Sequence, residues 1–81
     1  MKIRVLLFAR LAELAGCREL CLELPNGAVA GSVLGEACRV HSALNGATGS
    51  VGVAVNRRLV TPETPLQDGD EVALIPPVSG G

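Results

Sequence analysis

Aromatic side chains are almost missing from this 81-residue chain: Phe8 is the only one, with no Trp and no Tyr. That scarcity removes the stacking platforms on which single-stranded nucleic acids rest. Basic residues are also few, 7 against 8 acidic, for a net charge of −1. Beyond Arg57-Arg58 they do not cluster, so no electrostatic footprint for nucleic acid exists. Nor does any apolar run approach the roughly 20 residues that a membrane span requires. The N-terminal segment Met1-Lys2-Ile3-Arg4-Val5 lacks the apolar region and cleavage site of a signal peptide. Cysteine is present three times, an odd number that fits a reducing compartment better than a disulfide framework. The expected location is cytoplasmic. No glycine-rich loop has the spacing of a phosphate or dinucleotide cradle.

What is present is aliphatic. Hydrophobic residues make up 48% of the chain, enough for one core and one small domain spanning residues 1–81. Residues 2–8 alternate, with Ile3, Val5 and Leu7 on one face and Lys2, Arg4, Leu6 and Phe8 on the other, as a strand with one buried side does. Residues 9–15 read as a short helix stopped by Gly16. Residues 18–24 alternate again, with Leu20, Leu22 and Leu24 inward. Pro25-Asn26-Gly27 is a turn. Ser32 is positioned to cap a helix starting at Val33. Its apolar stripe runs through Val33, Leu34, Ala37, Val40, His41 and Leu44 before Asn45-Gly46 ends it.

Residues 51–55 form a third strand, with Val51, Val53 and Val55 inward. Asn56-Arg57 turns it into a short fourth strand, 58–60. A single turn is expected near Pro65-Leu66. Asp68-Gly69-Asp70 launches the last strand, 70–75. The order β, short helix, β, helix, β, β, β makes an α+β domain: one sheet of about five strands, with one main helix packed on one face.

A single helix layer leaves the other sheet face open. Leu6, Phe8, Ala54, Leu59, Ala73 and Ile75 fall on that side, and a contiguous apolar patch of this kind marks a docking surface. It lies beside the strand that leads into the ending Pro76-Pro77-Val78-Ser79-Gly80-Gly81. The two prolines hold the exit extended and stiff. The two glycines carry no side chain and can thread a passage too narrow for other residues. A frayed end is the plain alternative. Gly-Gly directly after a strand and a Pro-Pro brace favours instead an insertable probe, residues 76–81, tipped by the Gly81 carboxylate.

The remaining candidates carry less. Cys17, Cys21, Cys38 and His41 have a zinc-like spacing, but Cys21 sits outward in mid-strand and His41 toward the core, unlike the tight knuckle of a structural zinc site. Cys38 and His41 lie one helical turn apart without a third group to orient the histidine. Asp68 and Asp70 read as turn chemistry. The Gly81 carboxylate is left as the distinctive group. Being a poor electrophile, it must be activated before acyl chemistry, usually by adenylation with ATP on another protein. Attack by a sulfur nucleophile then gives a thiocarboxylate, and attack by an amine gives an amide.

Five stretches carry a resemblance: Val5 through Gly16, Ser32-Val33, Val53-Ala-Val-Asn56, Leu66-Gln-Asp-Gly-Asp-Glu-Val-Ala73 and Pro76-Pro-Val-Ser-Gly-Gly81. Together they resemble the small subunits of molybdopterin synthase, ubiquitin-like sulfur carriers with a β-grasp fold and a mixed sheet. The resemblance implies a non-catalytic, sulfur-carrying subunit that binds no cofactor or metal of its own. An E1-like adenylyltransferase would use ATP to activate Gly81, with Gly80 beside it as part of the functional end. The thiocarboxylate would donate sulfur to cyclic pyranopterin monophosphate inside the large synthase subunit, in a heterotetramer.

Phe8, Leu59 and Ile75 match the family's contact surface, and Pro76, Pro77, Val78 and Ser79 its partner-binding tail. Two departures stand out: Ile75 replaces an aromatic residue, and residues 25–31 match poorly. Three alternatives remain open. One is a carrier for thiamine or tRNA thiolation. Another is a ubiquitin-like modifier joined through Gly81 to lysines. The third is an interaction module that would tolerate an extension after Gly81.

Overall fold

The alternation of apolar residues is realised as a five-stranded sheet. The computed structural model describes residues 1–46 and 51–76. Pro77, Val78, Ser79, Gly80 and Gly81, and with them most of the expected tail, lie outside the described residues. The strands are β1 (Lys2–Leu7), β2 (Glu19–Glu23), β3 (Gly52–Val55), β4 (Arg58–Leu59) and β5 (Glu71–Ile75). Their spatial order is β2-β1-β5-β3-β4. β1 and β5 run parallel in the centre, and every other pairing is antiparallel, so the sheet is mixed.

Ile3, Val5, Leu7, Leu20, Leu22, Val72 and Leu74 point to one side and are buried. Val53 and Val55 lean on them as partly buried neighbours. The same core takes Leu11 from helix α1 (Ala9–Ala15), Val33 and Ala37 from helix α2 (Ser32–Val40), and Leu44. Its buried residues are all aliphatic. Removing such surface from water is the main favourable term in folding. Gly16 ends α1 in the left-handed region at φ +76°, and its N–H donates to the Ala12 carbonyl at 2.9 Å.

Three expectations need correction. Ser32 does not cap α2. The backbone is already helical at Gly31 (φ −65°, ψ −19°), so Ser32 lies within the first turn. Its hydroxyl donates back to the Val29 carbonyl at 2.7 Å, the local bond that serine offers in place of a cap.

The main helix also stops early, at Val40. His41 leaves helical geometry (φ −121°, ψ 89°), and a separate 3-10 turn, Ser42–Gly46, follows. Leu44 is fully buried in that turn while Val40 is 51% exposed. The apolar spacing hid the break because Leu44 lies inward under either arrangement.

Pro65 is not in a turn. It forms an isolated bridge with Val29, flanked by hydrogen bonds from Ala30 N–H to the Thr64 carbonyl (2.8 Å) and from Leu66 N–H to the Ala28 carbonyl (3.0 Å). A proline can occupy an edge bridge because its missing N–H is not required there. Among the described residues, no helix is long and apolar enough to cross a membrane.

Candidate functional site

The helices cover one side of the sheet. On the other side, register places Glu19, Leu6, Ala73, Ala54 and Leu59 in one row across all five strands. Because β5 is parallel to β1 and Leu7 sits beside Leu74, the chain leaves β5 at Ile75 where β1 delivers Phe8. Phe8 has an extended backbone (φ −124°, ψ 154°), followed by a left-handed Ala9 (φ +49°) that turns the chain into α1.

The result is a shallow groove of about 440 Å3 lined by Leu6, Phe8, Ala54, Leu59, Ala73 and Ile75, with Arg57 and Glu71 at its polar side. Leu59 is 74% exposed, Phe8 48% and Ile75 36%. Ala54 faces the same way yet is only 6% exposed, walled in by its row partners Leu59 and Ala73. All six residues expected on the open face are therefore brought together there. Pro76, half-buried, continues from the same end of the sheet.

The next row is polar. Arg4 lies between Cys21 on β2 and Glu71 on β5. It pairs with Glu19 at 3.1 Å and with Glu71. Glu71 is further held through its backbone: its N–H donates to the Asn56 side-chain oxygen at 3.1 Å, and its carbonyl accepts from the Asn56 N–H at 2.7 Å. Asn56 was legible only as a turn residue. Its side chain also donates to Asp70 at 3.0 Å, which clasps the β3–β4 turn to the start of β5. Asp70 accepts from Gln67 N–H at 2.8 Å, and Asp68 from Lys2 N–H at 2.7 Å. Both carboxylates are thus engaged in shaping the turn before β5.

The cysteines are scattered and free. Cys21 is exposed on the open face, while Cys17 and Cys38 are half-buried against the core. His41 is half-buried just beyond α2. Among the described residues, no group of three or more His, Cys, Asp or Glu is arranged to hold a metal ion. A wider depression of about 550 Å3 lies between Leu24–Val29 and the start of α2. Its one titratable side chain is Glu36, whose two oxygens accept from Arg39 at 2.8 and 2.7 Å. That hydrogen bonding holds the Glu36 carboxyl below its ordinary pKa.

A family model described as the ThiS family matches residues 5–81. The chain belongs to the ThiS family. It is 42% identical over 83 residues to the molybdopterin synthase sulfur carrier subunit of Chlamydomonas reinhardtii, covering 100% of both chains. It is 40% identical over 88 residues to the subunit of the same name from Escherichia coli, covering 98% of this chain and 99% of that one.

Among solved structures, the crystal structure of SAMP1 from Haloferax volcanii superposes with a TM-score of 0.87 at 32% identity over 100% of both chains. A chain from the complex of subunits 1 and 2 of the Helicobacter pylori molybdopterin-converting factor gives 0.64 at 28% identity, again covering 100% of both. A ubiquitin from Caldiarchaeum subterraneum gives 0.64 at 22% identity, covering 100% of this chain and 98% of that one. The fold of this ThiS-family chain is the ubiquitin-like β-grasp.

Proposed function

We propose that this ThiS-family chain is the sulfur carrier subunit of a molybdopterin synthase. The observation that carries the reading is whole-length identity to curated carriers of that name, joined to a sheet whose exposed apolar groove lies at the end where β5 gives way to Pro76. Its partner is a large synthase subunit, as the Helicobacter pylori complex of subunits 1 and 2 supports, and the exposed apolar groove is where that subunit docks. Docked there, it receives Pro76 and the residues after it, with Gly80 and Gly81 deepest. An E1-like adenylyltransferase transfers AMP from ATP to the Gly81 carboxylate and releases pyrophosphate. The acyl-adenylate is attacked by a persulfide sulfur, AMP leaves, and reduction of the acyl disulfide by a thiol frees the thiocarboxylate. That group gives its sulfur to cyclic pyranopterin monophosphate, and water restores the carboxylate.

A second reading is favoured by a different observation. The 0.87 superposition is with SAMP1, and another structure of the Haloferax volcanii protein bears the name small archaeal modifier protein 1. A modifier would form an amide between Gly81 and a lysine of another protein. Intact mass after incubation with ATP, the cognate adenylyltransferase and a persulfide donor separates the two. Exchange of one oxygen for sulfur, abolished by deleting Gly81, is the result expected of a carrier. Amide-linked adducts without that exchange would move the function to protein modification.

A further inference from the structure

Arg57 is the groove residue that an apolar docking surface leaves unexplained. Together with Asn56 it makes the two-residue turn between β3 and β4, with φ +51° and +71°. Such a turn needs positive φ at both positions and favours Asn-Gly. Asn56 fits the first position and closes the turn onto Glu71 and Asp70. Arg57 occupies the position that glycine suits best, so the turn itself does not call for an arginine.

Its surroundings give it a role. Arg57 lines the same groove as Phe8, Leu59 and Ile75. The acidic side chain of that groove, Glu71, is engaged by Arg4, which also holds Glu19. Among the described residues, Arg57 makes no ion pair. The groove therefore presents an apolar floor with one unmatched guanidinium at its edge. We propose that Arg57 is a specificity contact for the large subunit that covers this face, and that the partner sets an aspartate or glutamate carboxylate against it beside its apolar contacts. The inference rests on the docking reading above and adds to it a charge preference that the apolar residues do not provide.

The test titrates the full chain against its cognate large subunit at low and high salt. Arg57→Gly keeps a residue suited to the turn, and its melting temperature should equal or exceed that of the unsubstituted chain. Its affinity should fall about three- to fivefold at low salt, as for an exposed ion pair, with the gap closing at high salt. Arg57→Glu should lose roughly tenfold through like-charge repulsion. Arg58→Glu is the control, since Arg58 pairs with Val55 and so belongs to the helix side of the sheet. It should bind nearly normally. Unchanged affinity of Arg57→Gly at both salts, while Phe8→Ala weakens binding, would remove the carboxylate contact and leave the docking face standing. An Arg58→Glu loss as large as that of Arg57→Glu would also overturn it. If Phe8→Ala had no effect, the docking face would fail, and the Arg57 contact with it.

Discussion

Replacing Leu59 by alanine should separate partner binding from folding. Leu59 is 74% exposed at the rim of the groove. Burying a leucine side chain completely is worth about 1.5–3 kcal/mol. Covering the exposed three quarters would contribute about 1–2 kcal/mol to docking, which is roughly tenfold in affinity. The quarter already covered limits the effect on folding to about 0.5 kcal/mol, as for other exposed positions. In a domain of this size that moves the melting temperature by less than about 4 °C.

Leu74 makes the opposite case. It is one residue from Ile75, but its side chain is 0% exposed on the helix side. Leu74→Ala should cost about 2–5 kcal/mol, a large part of the roughly 5–15 kcal/mol that holds a domain together. Calorimetric titration against the large subunit and a thermal melt of each variant supply both readings. A Leu59→Ala chain that melts far below the unsubstituted one, or that binds with full affinity, would refute the assignment of this face to docking.

Three further outcomes are expected. Gly31→Ala should destabilise by about 1–3 kcal/mol in a denaturant titration, because its Cβ would stand 2.9 Å from Pro62 Cβ and 3.1 Å from the Pro62 carbonyl oxygen. Gly52→Ala should stabilise by roughly 0.5–1 kcal/mol, since a strand glycine gives way to alanine and the new Cβ meets only ordinary contacts, 3.7 Å from the Ile75 carbonyl oxygen and 3.9 Å from Ile75 Cβ; the same methyl projects beside Ile75 on the open face and should weaken docking. Arg39→Ala should return the Glu36 carboxyl toward its ordinary pKa in an NMR titration. The lowered value means that the pair's contribution is present above the unfolded pKa and lost as pH falls through the folded one, so the variant should differ in stability from the unsubstituted chain at neutral pH and converge with it in acid.

The strands could be read from the sequence because burial on one side writes itself as period two. Ile3, Val5 and Leu7 are buried, and Leu6 and Phe8 lie opposite, as alternation requires. The open face followed from the same parity, once one helix layer was counted against two sheet faces. The end of α2 was not legible. A helix that continues and a helix that breaks at His41 both place Leu44 inward, so the apolar period cannot distinguish them. The polar clasp was hidden for a different reason. Asn56, Asp70 and Glu71 meet only after β3 and β5 pair, and sequence spacing carries no sign of which strands become neighbours.

Strand order is also what joins the groove to the chain's last residues. Had β5 not neighboured β1, or run antiparallel to it, Ile75 would leave the sheet away from Phe8. The parallel β1–β5 pair at the centre instead sends both strands toward the same end. Phe8 and Ile75 therefore share one groove, and Pro76 departs from it. Under the proposed function, a partner seated on that groove would lie beside Pro76, where the chain leaves the sheet. The core lies wholly on the other side of the sheet, with Val5, Val72 and Leu74 buried beneath the helices. Side chains on the open side can thus be changed without disturbing the core that holds the domain together. On that reading, side chains of one parity hold the core and those of the other meet the partner, so truncating Leu74 tests mainly stability and truncating Leu59 mainly recognition.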